Sequence, residues 1–168
     1  MSAKVYLSLG SNIGDRESNI AQATMALSIN LDIMNIQSSS FYESQPLYNT
    51  EQPKFLNSVV SCDTDLQPFD FFDVTERIEK MLGKKMNPEK NHPRTIDIDI
   101  LVYGDSFLET EKLTLPHPMI ALRKFVLIPF NEIAPDFKIP NTDMTVKKLL
   151  ENCPDNSSVT KHFMKTQA

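Results

Sequence analysis

The sequence predicts a mixed α and β domain, and three observations lead there. Strand-like alternation recurs along the chain, helix-like apolar stripes of period three to four separate the alternating stretches, and glycine or proline marks most junctions. The 168 residues are enough for one substantial core but not for two, so residues 1–168 are expected to form a single domain. A net charge of −5 leaves no general basic face and so speaks against a broad nucleic-acid binder. No stretch approaches the ~18 apolar residues of a membrane span. Met1 to Val5 enters a strand pattern without the apolar run of a signal peptide, and Cys62 and Cys153 read as free thiols of a reducing compartment. A cytoplasmic protein is expected, with no membrane or nucleic-acid partner and no obligate protein partner.

Taken in order, Lys4 to Leu9 alternates as a strand and ends in Gly10-Ser11-Asn12-Ile13-Gly14-Asp15, before a helix whose buried stripe includes Ile20, Ala23 and Leu27. Without a Gly-Lys-Ser/Thr ending this is not a phosphate loop, and Gly10 and Gly14 read as residues of tight turns. Ile33 to Tyr42 reads as one strand, followed by a long ordered loop from Glu43 to Pro53. Phe55 to Cys62 reads as the next strand, with Phe55, Asn57 and Val59 on one face. Asn57 is an amide where a core prefers Val or Ile; it either meets a flat heterocycle or ties down the preceding loop. Pro68 fits the first turn of a helix that runs to about Leu82 and stops at Gly83, burying Phe71, Val74 and Ile78. Glu79, near that helix's C-terminus, is either held by a partner or exposed to solvent. Gly104-Asp105 suggests a hairpin turn returning through Phe107-Leu108. Leu113 to Pro118 leads into a short helix up to Leu122, Arg123 to Pro129 suggests an inner strand, and Thr145 to Asn152 a last helix with Val146, Leu149 and Leu150 inward. Beyond about residue 154 a polar tail is expected to fray.

The most informative stretch is Pro93 to Tyr103. As a strand it turns Ile96, Ile98 and Ile100 to one face and Asp97 and Asp99 to the other, with backbones roughly 6.5–7 Å apart. Such a pair is either the wet face of an amphipathic strand or a hard-cation site, since a divalent cation relieves the repulsion and desolvation of two neighbouring carboxylates. Just before it, Lys84 to Thr95 carries four cations against one anion in an irregular loop. Cations for phosphate oxygens beside carboxylates for metal are the two halves of a triphosphate site. His117, between Pro116 and Pro118, has a stiff backbone that could aim its ring, or it is structural.

Four landmarks then stand together: Gly10-Ser11-Asn12; Gln52-Pro53-x-Phe55-Leu56-Asn57; Pro93-Arg94-x-x-Asp97-Ile98-Asp99-Ile100-Leu101; and Leu115-Pro116-His117-Pro118 with Arg123-x-Phe125. In order and spacing they resemble the 6-hydroxymethyl-7,8-dihydropterin pyrophosphokinases of folate synthesis. The resemblance implies an α+β, ferredoxin-like fold, an antiparallel sheet backed by helices with long loops over one end. It implies pyrophosphoryl transfer from ATP to a reduced pterin, with ATP as co-substrate and two Mg²⁺ ions held by Asp97 and Asp99. It places the pterin on Ser44, Leu47, Phe55, Asn57 and Phe125. It places ATP on Glu79, Lys84, Lys90, Arg94, Lys112, His117 and Arg123, with Asp97, Asp99, Arg94 and His117 as the catalytic set.

The chain also departs from that family's pattern. Lys84 and Met86 stand where an Arg-x-Arg pair is usual, His92 where a small residue is usual, Asn91 where some members have an aromatic, and Phe55 where Tyr is frequent. Lysine keeps charge without the bidentate fork, and methionine keeps neither. Three other readings remain at this point: a different two-metal transferase, a nucleotide- or pterin-binding protein without turnover, and a structural module.

Overall fold

A computed structural model describes residues 2–47, 50–83 and 94–164. Its centre is β1 (Ala3–Ser11), an alternating strand that pairs antiparallel with β4 (Phe55–Thr64) on one side and β5 (Asp97–Tyr103) on the other. Between β1 and β4 run α1 (Arg16–Ser28), β2 (Ile33–Ser38) and β3 (Phe41–Ser44); between β4 and β5 runs α2 (Pro68–Met81). With β2 and β3 both lying against β4, the order across the sheet is β5, β1, β4, then β3 or β2, and every pair is antiparallel. With β2 and β3 counted as one interrupted strand, this is the βαββαβ arrangement of a ferredoxin-like fold. Beyond it, α3 (Lys124–Ile133), α4 (Val146–Glu151) and β8 (Val159–His162) follow two short strands, β6 (Leu108–Glu109) and β7 (Thr114–Leu115), and a 3₁₀ turn at Ile120–Leu122.

Local chemistry explains the helix ends. Asp15 accepts a hydrogen bond from the Ser18 N–H (3.1 Å) and caps α1, whose buried residues are Ile20, Ala23 and Leu27, as the period requires. Pro68 opens α2, and Gly83, at φ +102°, closes it in a backbone region that favours glycine. Two cores result. One lies under α1 and α2, where Leu7, Leu9, Leu56, Val60, Ile98 and Ile100 meet Ile20, Leu27, Phe71 and Ile78. The other lies under α3 and α4, where Tyr6, Val59, Leu101 and Val102 meet Val126, Leu127, Phe130 and Val146.

Five expectations are corrected. Residues 33–42 are not one strand: buried Ser39 interrupts it, its Oγ accepting the Val59 N–H at 2.9 Å, and the pairing with β4 shifts by one residue across the break. The Gly104-Asp105 turn does not return the chain along β5, because Gly104 N–H bonds Lys4 O at 2.7 Å and β6 pairs instead with β7. Arg123 to Pro129 is the start of helix α3, not an inner strand. An unbroken apolar run does not show its period; carried through Phe130, the buried positions 126, 127, 129 and 130 take helical spacing. A proline inside an inner strand would also remove a ladder bond. The tail beyond residue 154 does not simply fray, since β8 pairs with β3 from Phe41↔His162 to Ser44↔Val159. Gly10 is not a turn residue but lies inside β1, whereas Gly14, at φ +71°, is one. Among the described residues no helix is long and apolar enough to cross a membrane.

Candidate active site

The sheet register builds the site. Gly10 on β1 lies directly opposite Asn57 on β4 and Asp97 on β5, and Ser8, two residues earlier, lies opposite Val59 and Asp99. Directly paired residues share a sheet face, so an amide, a glycine and a carboxylate stand in one row with a second carboxylate beside them. A Cβ on Gly10 would meet Asn57 Oδ1 at 3.4 Å and Phe55 Cδ1 at 3.6 Å, so the missing side chain keeps the floor of the row open.

Above this row is a cavity of about 490 Å³, walled by Ser44, Pro46, Leu47, Phe55, Asn57 and Phe125 at one end and by Arg94, Asp97, Asp99 and Arg123 at the other. Asn57 is 2% exposed, and its Nδ2 donates to Ser44 Oγ (2.8 Å) and to Tyr42 O (3.2 Å). It therefore ties down the strand before the loop, as one of its two readings held, while its Oδ1 stays on the Gly10 side. Phe55, Phe125 and Leu47 supply flat and apolar surface, so this end suits a small planar ring.

The other end is ionic. Arg94 Nη1 lies 2.6 Å from Asp97 Oδ2, with both side chains partly shielded. Burial opposes the Arg94 charge, but Asp97, with Asp99 and Glu79 beyond it, outweighs burial and holds the guanidinium above its ordinary range. Arg123 lies over the Phe125 ring, 5.8 Å from its centroid, and its buried Nε has no hydrogen-bond partner among the described residues. An acceptor supplied by a ligand or by water would complete this buried donor. Asp97 and Asp99 fit Mg²⁺: both line the cavity, both offer only oxygen, and no group of three or more His, Cys, Asp or Glu suited to a soft or all-protein metal site occurs among the described residues. One or two carboxylates completed by water and phosphate oxygens is the usual magnesium shell.

Asn12 was not singled out by sequence, though it lies in the first landmark. It is 1% exposed, donates from Nδ2 to Gln52 Oε1 (2.9 Å) and Pro53 O (3.1 Å), and accepts the Arg94 N–H at 2.7 Å. One buried amide thus joins the loop before β4 to the residue that leads into β5.

Of the remaining sequence candidates, the described ones, Glu79, Lys112 and His117, do not line the cavity. Glu79 is 6% exposed and accepts the Ile98 N–H at 2.9 Å, on the outer edge of the strand that carries the aspartates. Its partner is within the protein, so the solvent-exposed reading falls away. Exposed Lys112 lies 3.4 Å from Asp73 and 5.3 Å from the Phe72 ring. Lys84 and Lys90, like Met86, Asn91 and His92, lie outside the described residues.

His117 donates its backbone N–H to Leu101 O (2.8 Å), and its Nδ1 accepts the Met119 N–H (3.1 Å), which puts the ring proton of the neutral form on Nε2. Burial, with repulsion from Arg123 added, pulls its pKa from 6.5 to about 4. Between those values the unfolded chain binds more protons than the folded one, so stability falls as pH drops through that window and levels off below it. The full loss is roughly 3 kcal/mol. Urea titrations between pH 7 and pH 4 are expected to show this loss, and a smaller one in His117→Asn, whose amide oxygen can still accept the Met119 N–H but does not titrate. Equal slopes in both proteins would refute it.

A chamber lined by flat apolar side chains beside paired carboxylates and two guanidinium groups has the chemistry to hold a planar ring next to an anionic, metal-bound group. Comparison with known proteins narrows it. Residues 6–135 match the family described as 7,8-dihydro-6-hydroxymethylpterin-pyrophosphokinase. The Haemophilus influenzae protein named 2-amino-4-hydroxy-6-hydroxymethyldihydropteridine pyrophosphokinase is 34% identical over 154 residues, which are 92% of this chain and 95% of that protein. The folic acid synthesis protein FOL1 of Dictyostelium discoideum is 38% identical over 156 residues, and there the chain spans only 23% of the relative's length. A crystal structure of Plasmodium falciparum HPPK-DHPS shares the fold, with a TM-score of 0.71 over 90% of this chain and 45% of that one at 16% identity. The chain belongs to the 7,8-dihydro-6-hydroxymethylpterin-pyrophosphokinase family.

Proposed function

We propose that this chain transfers the pyrophosphoryl group of ATP to the hydroxymethyl oxygen of 6-hydroxymethyl-7,8-dihydropterin in folate synthesis, in the cytoplasm and as a single domain. The observation that carries the reading is the Asn57–Gly10–Asp97 row, which sets a ring-sized pocket and a carboxylate pair side by side across three strands. In the reaction the hydroxymethyl O–H gives up its proton, a bond forms from that oxygen to the β-phosphorus, and the bridge between the α- and β-phosphates breaks to leave AMP.

The residues divide the work by chemistry. Phe55 and Phe125 sandwich the pterin, while Asn57 with Ser44 and the Leu47 backbone reads its polar edge. Arg94 and Arg123 grip phosphate oxygens through multi-donor heads, Asp97 helps orient the attacking hydroxyl, and neutral His117 offers Nε2–H as a donor. Lys84, Lys90 and Lys112 add positive charge, and Glu79 acts on the ATP side by holding β5 at Ile98. Asp97 and Asp99 would hold two Mg²⁺ ions, whose chemistry is to neutralise phosphate charge and fix the β-phosphorus in line.

The test is AMP release from ATP and Mg²⁺ with and without the reduced pterin. Pterin-dependent AMP is expected. ADP as the product, or binding of both substrates with no nucleotide product, would replace this reading by a different transferase or by an inactive binder.

A further inference from the structure

The family match ends at residue 135, yet the chain beyond it reaches back to two of the segments that line the pocket. Lys124, the first residue of α3, sits between Arg123 and Phe125, which both line the cavity. Arg123, at the cap position, gives no side-chain cap; instead Asp155 Oδ2 accepts the Lys124 N–H at 3.1 Å from 31 positions further along. Asp155 Oδ1 accepts the Ser157 N–H at 2.9 Å, and Lys124 Nζ donates to Ser157 O at 3.3 Å, so helix start and tail are clasped twice. Four residues after Asp155 the tail becomes β8 and pairs Val159 with Ser44, which also lines the cavity. His162 Nε2, 2.6 Å from Glu17 Oε1, fastens the far end to α1.

On the pterin-pocket reading given above, we infer that Asp155 is a positioning residue for substrate binding: it caps α3 from the C-terminal segment and so fixes where Phe125 and Arg123 stand. An anion at a helix N-terminus satisfies an otherwise orphaned backbone donor and meets the positive end of the helix dipole. Burial opposes the Asp155 charge, but the Ser157 and Lys124 hydrogen bonds outweigh it and hold the carboxyl below its ordinary range. The cap differs from an ordinary one in its distance along the chain. It couples the helix that carries Phe125 to the strand that pairs with Ser44.

A second cap in the same molecule provides the control. Thr145 Oγ1 accepts the Lys148 N–H at 3.1 Å and caps α4, none of whose residues lines the cavity. Asp155→Ala and Thr145→Ala are each expected to lower Tm by about 3 °C. Only Asp155→Ala is expected to weaken pterin binding, by about fivefold, the size of one lost cap, as read by calorimetric titration with 6-hydroxymethylpterin in Mg²⁺ and α,β-methylene-ATP. Asp155→Asn, which keeps an acceptor, is expected to restore affinity. Equal pterin Kd in the two alanine variants would overturn the inference. If Asp155→Ala does not fold, Asp155→Glu carries the test: its displaced carboxylate is expected to bind pterin more weakly than Asp155→Asn, and equal affinities would overturn the idea. Because binding is measured without turnover, an unmodified protein that binds pterin but releases no AMP would refute the reaction alone, and one that binds no pterin would refute both.

Discussion

Asp97→Asn and Asp99→Asn are each expected to cut pterin-dependent AMP release by about a thousandfold or more, several kcal/mol of lost charge stabilisation at a metal-assisted phosphoryl transfer. Asparagine keeps the shape and one oxygen of each side chain but removes the negative charge that a hard cation needs. Both positions face the cavity on one side of β5, so neither change touches the Ile98 and Ile100 face that packs on α2. The two variants should nevertheless differ in stability. Asp97 pairs with Arg94 at 2.6 Å, and its loss leaves a half-buried guanidinium without that partner, whereas Asp99 is exposed. A small drop in denaturation midpoint is therefore expected for Asp97→Asn and little or none for Asp99→Asn. Raising the Mg²⁺ concentration should recover part of the activity where a ligand has been weakened. Turnover within about tenfold of the unmodified protein in either variant would remove that residue from the metal-holding role.

How much of this was readable beforehand depends on where the information lies. The alternation in β5 is local, so Asp97 and Asp99 could be placed on one face from the sequence, and the α1 stripe of Ile20, Ala23 and Leu27 followed from its period alone. The α3 helix was not legible in Arg123 to Pro129, because the apolar run from Phe125 to Pro129 is too short and unbroken to show a period and its burial against Tyr6, Val59 and Val102 is a tertiary fact. β8 was not legible either: Val159 to His162 is polar, and it is a strand because the edge of β3 was open to it. The long-range partners of Glu79, Asn12 and Asp155 belong to the same kind. Each binds a backbone N–H between 19 and 82 positions away, and no spacing rule within a window reaches that far. The pocket residues Ser44, Leu47, Phe55, Arg123 and Phe125 came from resemblance, and the structure brings them to one cavity with Asn57 and the aspartates.

Gly10 separates fold from function most cleanly. Its motif suggested a turn, but the residue is paired on both sides inside β1, where glycine normally weakens a strand by about 0.5–1 kcal/mol relative to alanine. An alanine Cβ would meet Asn57 Oδ1 at 3.4 Å and the Leu56 carbonyl at 3.8 Å, which are ordinary contact distances, so Gly10→Ala should fold and keep or raise Tm. The methyl group would nonetheless stand between the amide and the Asp97 carboxylate, where the proposed function puts the ring substrate. Adding one such group to a fitted site is expected to weaken pterin binding by about tenfold, and Gly10→Val, whose branches extend further, by about a hundredfold. Stability and affinity would then move in opposite directions along the alanine step, a result that general damage to the strand does not produce. If Gly10→Ala bound pterin as tightly as the unmodified protein, the open floor would not serve the ring, and the substrate would lie elsewhere in the cavity.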